Sequence, residues 1–130
     1  MKKTLHTPVL LQETINHLNP TAGKKYIDAT LGYGGHTLGL LEAKATVVGI
    51  DQDAELLEIA QARITSAGYS AHFTAMHSSF ANALASDRLE KNSFDGVLFD
   101  LGVSSYQLDT PRRGFSFRYD APLDMRMNKN

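Results

Sequence analysis

Apolar residues along the chain follow two alternating patterns, recurrence at helical spacing and short continuous runs. The first helix is predicted behind Thr7-Pro8, a cap followed by proline at the first helical position, and it ends at Asn19-Pro20. Later helices are predicted over residues 35–42, from the cap at 53 to the glycine at 68, and from 78 or 79 to 89. Strands are predicted over residues 25–30, 46–51, 70–76 and 94–101. This alternation predicts an α/β domain with a parallel sheet of four strands and flanking helices.

Two runs at the ends of predicted strands indicate a nucleotide pocket. Residues 28–35 (DATLGYGG) leave a strand through glycines and enter a helix, where a ligand can approach the backbone closely. The next strand ends in Asp51, 19 positions after Gly32, about the spacing at which a carboxylate binds ribose hydroxyls. The glycines do not follow the GxGxxG dinucleotide pattern and look more like the first motif of S-adenosylmethionine-dependent methyltransferases. Alone, the glycine loop is a weak signal, and a loop that binds nothing is its alternative.

Ligands of open parallel sheets bind at the carboxyl ends of the strands, so the residues there are the candidate site. We expect Phe80, after the third strand, to lie against an adenine ring, with a core aromatic at a helix start as the alternative. Asp100, after the fourth strand, is placed to meet a cationic amine or an exocyclic amino group, or else only caps its loop. His36 stands at a helix start, where the helix dipole disfavours a charged ring, and we expect no metal role for it.

Composition limits the classes of protein to which the chain can belong. With 130 residues and 42% hydrophobic content it can bury one core. Cysteine is absent, which excludes a disulfide framework, a thiolate metal site and a thiol nucleophile. No stretch approaches the ~20 apolar residues of a membrane span, and no signal-peptide core follows the first lysines. The expected location is the cytoplasm.

The net charge of −1 conceals a basic C-terminal segment. Residues 111–130 carry 5 basic and 2 acidic side chains, with aromatic residues between them. Such a segment can bind phosphates and stack on bases, while a solvated loop is the alternative. Its basic residues are Arg112, Arg113, Arg118, Arg126 and Lys129.

Five blocks of sequence together resemble one known family over nearly the whole chain. They are HTPVLLQE (6–13), DATLGYGGHT (28–37), GIDQD (49–53), FDGVLFDLGVSS (94–105) and RGFSFRYDAPLDMRM (113–127). The family is that of the bacterial small-subunit ribosomal RNA (cytosine-N4)-methyltransferases, which modify a decoding-site cytidine. The resemblance implies a Rossmann-like class I methyltransferase fold, with S-adenosylmethionine as cofactor and small-subunit ribosomal RNA as partner.

The resemblance also assigns roles to individual residues. The cofactor contacts that it implies are Gly34, Gly35, His36, Asp51, Phe80, Asp100 and Gln107. Residues 113–127 would form part of the entrance to the RNA site. Asp100 is the best candidate for a catalytic acceptor of the amine's hydrogen bonds. Tyr106, directly before Gln107, departs from the family pattern, which has proline there.

The resemblance predicts that residues 1–130 are the cofactor-binding N-terminal part of a longer domain. The family's sheet has seven strands in the order 3-2-1-4-5-7-6 and carries an inserted helical domain, whereas strands one to four alone are found in this chain. The fourth strand would then be an exposed edge, and we expect it to pair with a second copy or to be covered by a disordered C-terminal segment that folds back over it. Two alternatives remain open: a non-catalytic fragment that binds S-adenosylmethionine or RNA, and an NAD-dependent dehydrogenase domain.

Overall fold

The structure is a computed structural model that describes residues 7–130, so His6 and the lysines before it lie outside the described residues. Helices and strands alternate as the apolar pattern predicts. In chain order they are α1 (Leu11–Leu18), β1 (Lys25–Asp28), α2 (Gly35–Glu42), β2 (Thr46–Asp51), α3 (Ala54–Ser66), β3 (Phe73–His77), α4 (Phe80–Ala85), β4 (Gly96–Leu98) and α5 (Ser105–Asp109). Two single-turn 3₁₀ helices precede β3 and follow α5, at Ser70–His72 and Pro111–Arg113.

The four strands form one parallel sheet in the order β3-β2-β1-β4. In its register Asp28 pairs with Gly49 and Leu98, and Asp51 pairs with His77. All four strands therefore end at the same edge of the sheet, and the loops that follow them meet there. The predicted α/β class and the four parallel strands are confirmed.

Side chains that alternate along the strands build one core on each face of the sheet. On one face Tyr26 and Val47 are buried with Leu40 of α2 and Ile64 of α3. On the other face the buried residues are Ile27, Ala29, Ile50, Met76, Ala83 and Leu89. Each fully buried Leu or Ile contributes ~1.5–3 kcal/mol. Because both faces of the sheet are covered by buried residues, the strands are continuous apolar runs.

The predicted start of the first helix is wrong. α1 begins at Leu11, and Leu10 before it has a left-handed backbone (φ 52°) that the helix cannot include. Pro8 instead lies against Gly35 at the start of α2, and the carbonyl of Val9 accepts a hydrogen bond from the ring of His36. These contacts hold residues 7–10 at the edge where the strands end, outside the helix.

Four other predicted elements are longer than the observed ones, and the first of them is β1, which ends at Asp28 and not at residue 30. α4 stops at Ala85, because Ser86 is extended and its hydroxyl donates to the carbonyl of Ala83. β3 begins only at Phe73, after the 3₁₀ turn, and β4 contributes just three residues to the sheet. α5 was not predicted as a helix at all.

β4 lies at one edge of the sheet, as predicted from the sequence. Within residues 7–130 it pairs only with β1. Val97 in this strand and Phe99 just after it are more than two fifths exposed. Hydrogen bonds of the C-terminal segment run to Gln52 and Glu55, after β2. That segment is thus attached two strands away from the free edge.

Candidate ligand site at the strand ends

A cavity of about 610 Å³ opens where the four strands end. Its walls come from the loops after all four strands, from residues 8–9 and from the C-terminal segment. Six of the seven predicted cofactor residues line it: Gly35, His36, Asp51, Phe80, Asp100 and Gln107. Gly34 lies outside the lining. The convergence of strand ends expected from the sequence is therefore present, while the ligand contacts themselves stay predictions.

Two glycines make the turn from β1 into α2 possible, each for a different reason. Gly34 is the N-cap of α2 with φ 73°, and a Cβ there would lie 3.3 Å from Cδ1 of Ile64. A side chain on Gly35 would collide with the ring of Pro8. The two glycines thus let α3 and the N-terminal segment approach α2, which shapes the cavity from behind.

Asp51 is the last residue of β2, where the chain turns toward α3. One carboxylate oxygen accepts from the backbone N–H of Gly32 (2.8 Å) and the other from that of Asp53 (2.9 Å). Burial raises the pKa of Asp51, and these backbone donors oppose the shift. A carboxylate has about four acceptor positions, so it can also receive hydroxyl groups of a ligand. The strand-end acid and the glycine loop are therefore one hydrogen-bonded unit.

His36 and Asp100 are neighbours on the cavity wall. Nε2 of His36 donates to the carbonyl of Val9 (3.1 Å), which orients the ring, and Nδ1 lies 4.0 Å from Oδ2 of Asp100. The backbone N–H of Asp100 donates to the hydroxyl of Thr30 (2.7 Å). The side chain of Asp100 is 54% exposed. Its carboxylate is thus accessible from the cavity while its backbone is tied to the loop after β1.

Phe80 is the first residue of α4 and is not part of the core. It is 38% exposed and meets Phe99 edge to face, with ring centroids 5.4 Å apart. This arrangement fixes an aromatic surface on the cavity wall. The alternative of a core aromatic at the helix start is therefore wrong.

Gln107 is buried, and both ends of its amide have protein partners. Its carbonyl oxygen accepts from the backbone N–H of Ser104 (3.0 Å), and its amide nitrogen donates to Oδ2 of Asp53 (2.8 Å). With the Ser104 hydroxyl bound to the N–H of Gln107, this is a capping box at the start of α5. Tyr106 also anchors the helix, because its hydroxyl donates to Glu55 (3.0 Å). The side chain that departs from the family pattern thus ties this loop to α3.

The basic C-terminal segment is not an unpaired cationic patch. Arg113 has no exposed side-chain surface and contacts Asp53 at 2.6 Å and Glu55 at 3.2 Å. The hypothesis that Arg113 contacts RNA phosphates is therefore wrong, and so is the alternative of a solvated loop at this position. Arg112 pairs with Glu55, and this contact is the main reason that the pKa of Glu55 falls to about 2. The other two arginines of the segment also pair with carboxylates, Arg118 with Asp109 and Arg126 with Asp124.

Asp28 is a buried carboxyl below the cavity floor. It accepts from the hydroxyl of Thr37 (2.7 Å) and from the backbone N–H of Thr30 (3.3 Å). Burial raises its pKa to about 6. Asp28 thus ties β1 to α2 from beneath, and its charge state bears on stability.

Comparison with known proteins identifies the family. The model of the MraW methylase family matches residues 3–130. The chain belongs to this family. Ribosomal RNA small subunit methyltransferase H of Carboxydothermus hydrogenoformans is 52% identical over 125 residues, which are 95% of this chain and 40% of that protein. The protein of the same name from Desulfovibrio desulfuricans is 47% identical over 98% of this chain and 39% of its own length. The chain spans about two fifths of the length of these curated relatives.

Solved structures support the fold class of this MraW-family chain. The C-terminal domain of precorrin-6Y C5,15-methyltransferase from Rhodobacter capsulatus aligns with a TM-score of 0.65 at 22% identity, over 79% of this chain and 54% of that one. An S-adenosylmethionine-dependent methyltransferase from Thiobacillus denitrificans, solved with S-adenosyl-L-homocysteine, aligns at 0.51 and 22% identity, over 59% and 33%. The Rossmann-like class I methyltransferase fold expected from the five blocks is confirmed.

Several residues of the cavity wall were not predicted as cofactor contacts. Gln52 follows Asp51 directly, so its place after a strand end was a usable signal. Pro8 and Val9 were assigned to a helix. Met127 comes from the C-terminal segment, and its sulfur accepts from the amide of Gln52 at 3.2 Å, 75 positions away. No local pattern in the sequence reveals that contact.

Two other kinds of feature are absent from residues 7–130. In that range no three His, Cys, Asp or Glu side chains are grouped so that they could hold a metal ion. No helix there is long and apolar enough to cross a membrane.

Proposed function

We propose that this chain holds the S-adenosylmethionine site of a methyltransferase that modifies N4 of a cytidine in the decoding region of small-subunit ribosomal RNA. Asp51 carries the proposal, because its carboxylate lies at the cavity edge and is bound to the glycine loop through Gly32. The names of the curated relatives support the RNA class. We further propose that residues 1–130 are the cofactor-binding part of that enzyme.

The cavity has the properties that S-adenosylmethionine requires. Its volume of about 610 Å³ lies within the ~300–1,000 Å³ range of small-molecule sites. Asp51 would accept the ribose hydroxyls, and Phe80 offers an exposed aromatic surface for the adenine. Asp100 would face the cationic end of the cofactor or the incoming amine. Gly34, Gly35 and His36 would shape the methionyl end, and Gln107 would act from behind through Asp53.

When bound, S-adenosylmethionine would supply an electrophilic methyl: the new bond would form to N4 of cytosine, the carbon–sulfur bond would break with its electron pair left on sulfur, and one N4 proton would be released to solvent. The amine's lone pair is delocalised into the ring, so this chain's task is alignment and acceptance of the amine's hydrogen bonds. Asp100 is the proposed acceptor, since its carboxylate is half exposed and its backbone is fixed by Thr30. Neither a thiol nor a metal is needed for amine methylation.

The proposed partner is small-subunit ribosomal RNA, and the proposed location is the cytoplasm. Phosphates that approach the C-terminal segment would have to compete with the carboxylates that pair with Arg112, Arg118 and Arg126. A second copy is a further proposed partner, through the edge of β4. Family membership argues against the NAD-dependent dehydrogenase alternative.

Thermal-shift titration and tritium transfer test the proposed function on one preparation. The melting temperature should rise with S-adenosylmethionine and not with NAD. Tritium from labelled S-adenosylmethionine should pass only weakly to small ribosomal subunits, and to N4 of a cytidine, because residues 1–130 are proposed to be the cofactor-binding part of a longer enzyme. A shift without transfer would favour the non-catalytic binding alternative, and a shift with NAD alone would contradict the proposal.

A further inference from the structure

The C-terminal segment contributes one wall of the cavity at its Asp51 end. Met127 lines the cavity, is half-buried, and accepts a hydrogen bond from Gln52 at 3.2 Å. Gln52 follows Asp51 directly and lines the same cavity. Met127 therefore lies beside the place where the proposed function puts the nucleoside.

Arg113 fixes the backbone on which Met127 sits. Its guanidinium donates to the carbonyl oxygens of Arg126 (3.1 Å) and Met127 (3.3 Å). The backbone N–H of Met125 also donates to the carbonyl of Arg113 (3.0 Å). One buried side chain thus holds a segment that is 13 to 14 positions further along the chain.

The same guanidinium is anchored on the turn that carries Asp51. Both of its terminal nitrogens donate to the carboxylate of Asp53, at 2.6 and 3.2 Å. The backbone N–H of Asp53 in turn donates to Asp51 (2.9 Å). A continuous set of hydrogen bonds therefore runs from the proposed ribose carboxylate through Asp53 and Arg113 to Met127.

We propose that Met127 is a nucleoside-contacting residue of the cofactor site and that Arg113 is the positioning residue that holds it there. The inference rests on the proposed function, because it takes Asp51 as the ribose-binding residue. Methionine suits the role, since its thioether packs favourably against aromatic rings such as adenine. Arg113 suits the positioning role, since a planar guanidinium can bind a carboxylate and backbone carbonyls together.

Calorimetric titration of this chain with S-adenosylhomocysteine and with 5′-methylthioadenosine tests the contact. Met127→Ala should weaken both ligands by about ten-fold, because both carry the nucleoside. Met125→Ala is the matched control: it removes the same side chain two positions away, is 55% exposed and does not line the cavity. The control should leave both affinities unchanged. Equal affinities in Met127→Ala and the parent chain would overturn the proposal.

A second set of variants tests whether Arg113 acts through Met127. The pair Asp53→Asn with Arg113→Met removes both buried charges, and the one carbonyl oxygen of asparagine can keep the helix cap that Oδ1 of Asp53 provides. This double variant should lose about the same factor as Met127→Ala, and adding Met127→Ala to it should cost nothing more. Fully additive losses would overturn the positioning role.

Folding is checked by thermal unfolding in every variant. If the double variant does not fold, Arg113→Lys replaces it, because lysine keeps a charge beside Asp53 but cannot bridge to the carbonyls. The additivity test with Met127→Ala is then the same. A parent chain that binds neither ligand would contradict the proposed function and this inference together. A parent chain that binds both ligands, with Met127→Ala unchanged, would contradict this inference alone.

Discussion

Two carboxyl groups are buried close to the cavity. The surroundings of Asp53 favour its charged form, whereas those of Asp28 favour its neutral form. Asp53 faces a guanidinium and an amide, so its negative charge is compensated by Arg113. Asp28 has neutral donors, the hydroxyl of Thr37 and a backbone N–H. Removing Arg113 would leave a buried uncompensated charge, which costs about 3–5 kcal/mol. Asp28, in contrast, is more easily accommodated when it is protonated.

Asp28 should make stability fall as the pH rises from about 4 to about 6. In the folded chain its pKa is about 6, against 3.8 for the ordinary group, so the folded chain keeps a proton that the unfolded chain releases. The stabilisation that comes from the proton on Asp28 is fully present below pH 3.8 and is lost as the pH passes 6. Asparagine does not titrate, so the free energy of unfolding of Asp28→Asn should rise by about 2–3 kcal/mol relative to that of the parent chain between pH 4 and pH 7.

Urea unfolding across that pH range measures this difference. Asp109→Asn is the control, since its carboxyl is exposed and should follow the parent chain within error. Parallel stability curves for Asp28→Asn and the parent would show that Asp28 does not titrate as its burial requires.

At the residue scale, the site residues that could be predicted from the sequence are those whose positions follow from the geometry of a parallel sheet. Asp51 and the glycine loop were predictable because the ends of neighbouring parallel strands must meet at one edge. Arg113 was not, because its partner Asp53 lies 60 positions away and the pairing depends on the course of the C-terminal segment. Counting charges predicts a basic surface and cannot tell which arginine becomes buried.

α5 shows how a short helix can be fixed by its cap. Ser104 and Gln107 exchange two hydrogen bonds, and Gln107 also reaches Asp53 before α3. The S-x-x-Q signature was present in the sequence, but the five-residue helix has no apolar repeat to support it. α2 and β2, by comparison, have the predicted bounds, because glycine or charged residues flank their apolar runs.

Gln107→Ala should destabilise the chain more than Ser104→Ala. Loss of the Ser104 hydroxyl removes one cap and should cost ~1 kcal/mol. Loss of Gln107 also removes a donor from the buried carboxylate of Asp53 and should cost about 1–3 kcal/mol. Urea unfolding measures both, with Gln61→Ala on the exposed side of α3 as the control. Equal losses in the two variants would mean that the contact between Gln107 and Asp53 contributes nothing.

For the whole molecule, the free edge of β4 predicts self-association. Among residues 7–130 this strand pairs with β1 alone, and Val97, Phe99 and Leu101 around it are exposed. An unpaired apolar edge tends to pair with another strand, and a lysine on it opposes such pairing. Val97→Lys should therefore reduce association that the parent chain shows at high concentration.

Light scattering over a concentration series measures the association. Leu123→Lys is the control, because it places the same charge on an exposed apolar residue of the C-terminal segment. A parent chain that stays monomeric throughout, or a Val97→Lys variant that associates as the parent does, would contradict the prediction.

The central claim is that Asp51 binds the ribose of S-adenosylmethionine in this cavity, and calorimetric titration tests it most directly. The parent chain should bind S-adenosylmethionine and not NAD. Asp51→Ala should weaken binding by ~1.5–3 kcal/mol, the range for a hydrogen bond to a charged group. Asp109→Ala, an exposed carboxyl outside the cavity lining, should leave the affinity unchanged. A folded Asp51→Ala variant with the parent's affinity would place the nucleoside elsewhere and contradict the account.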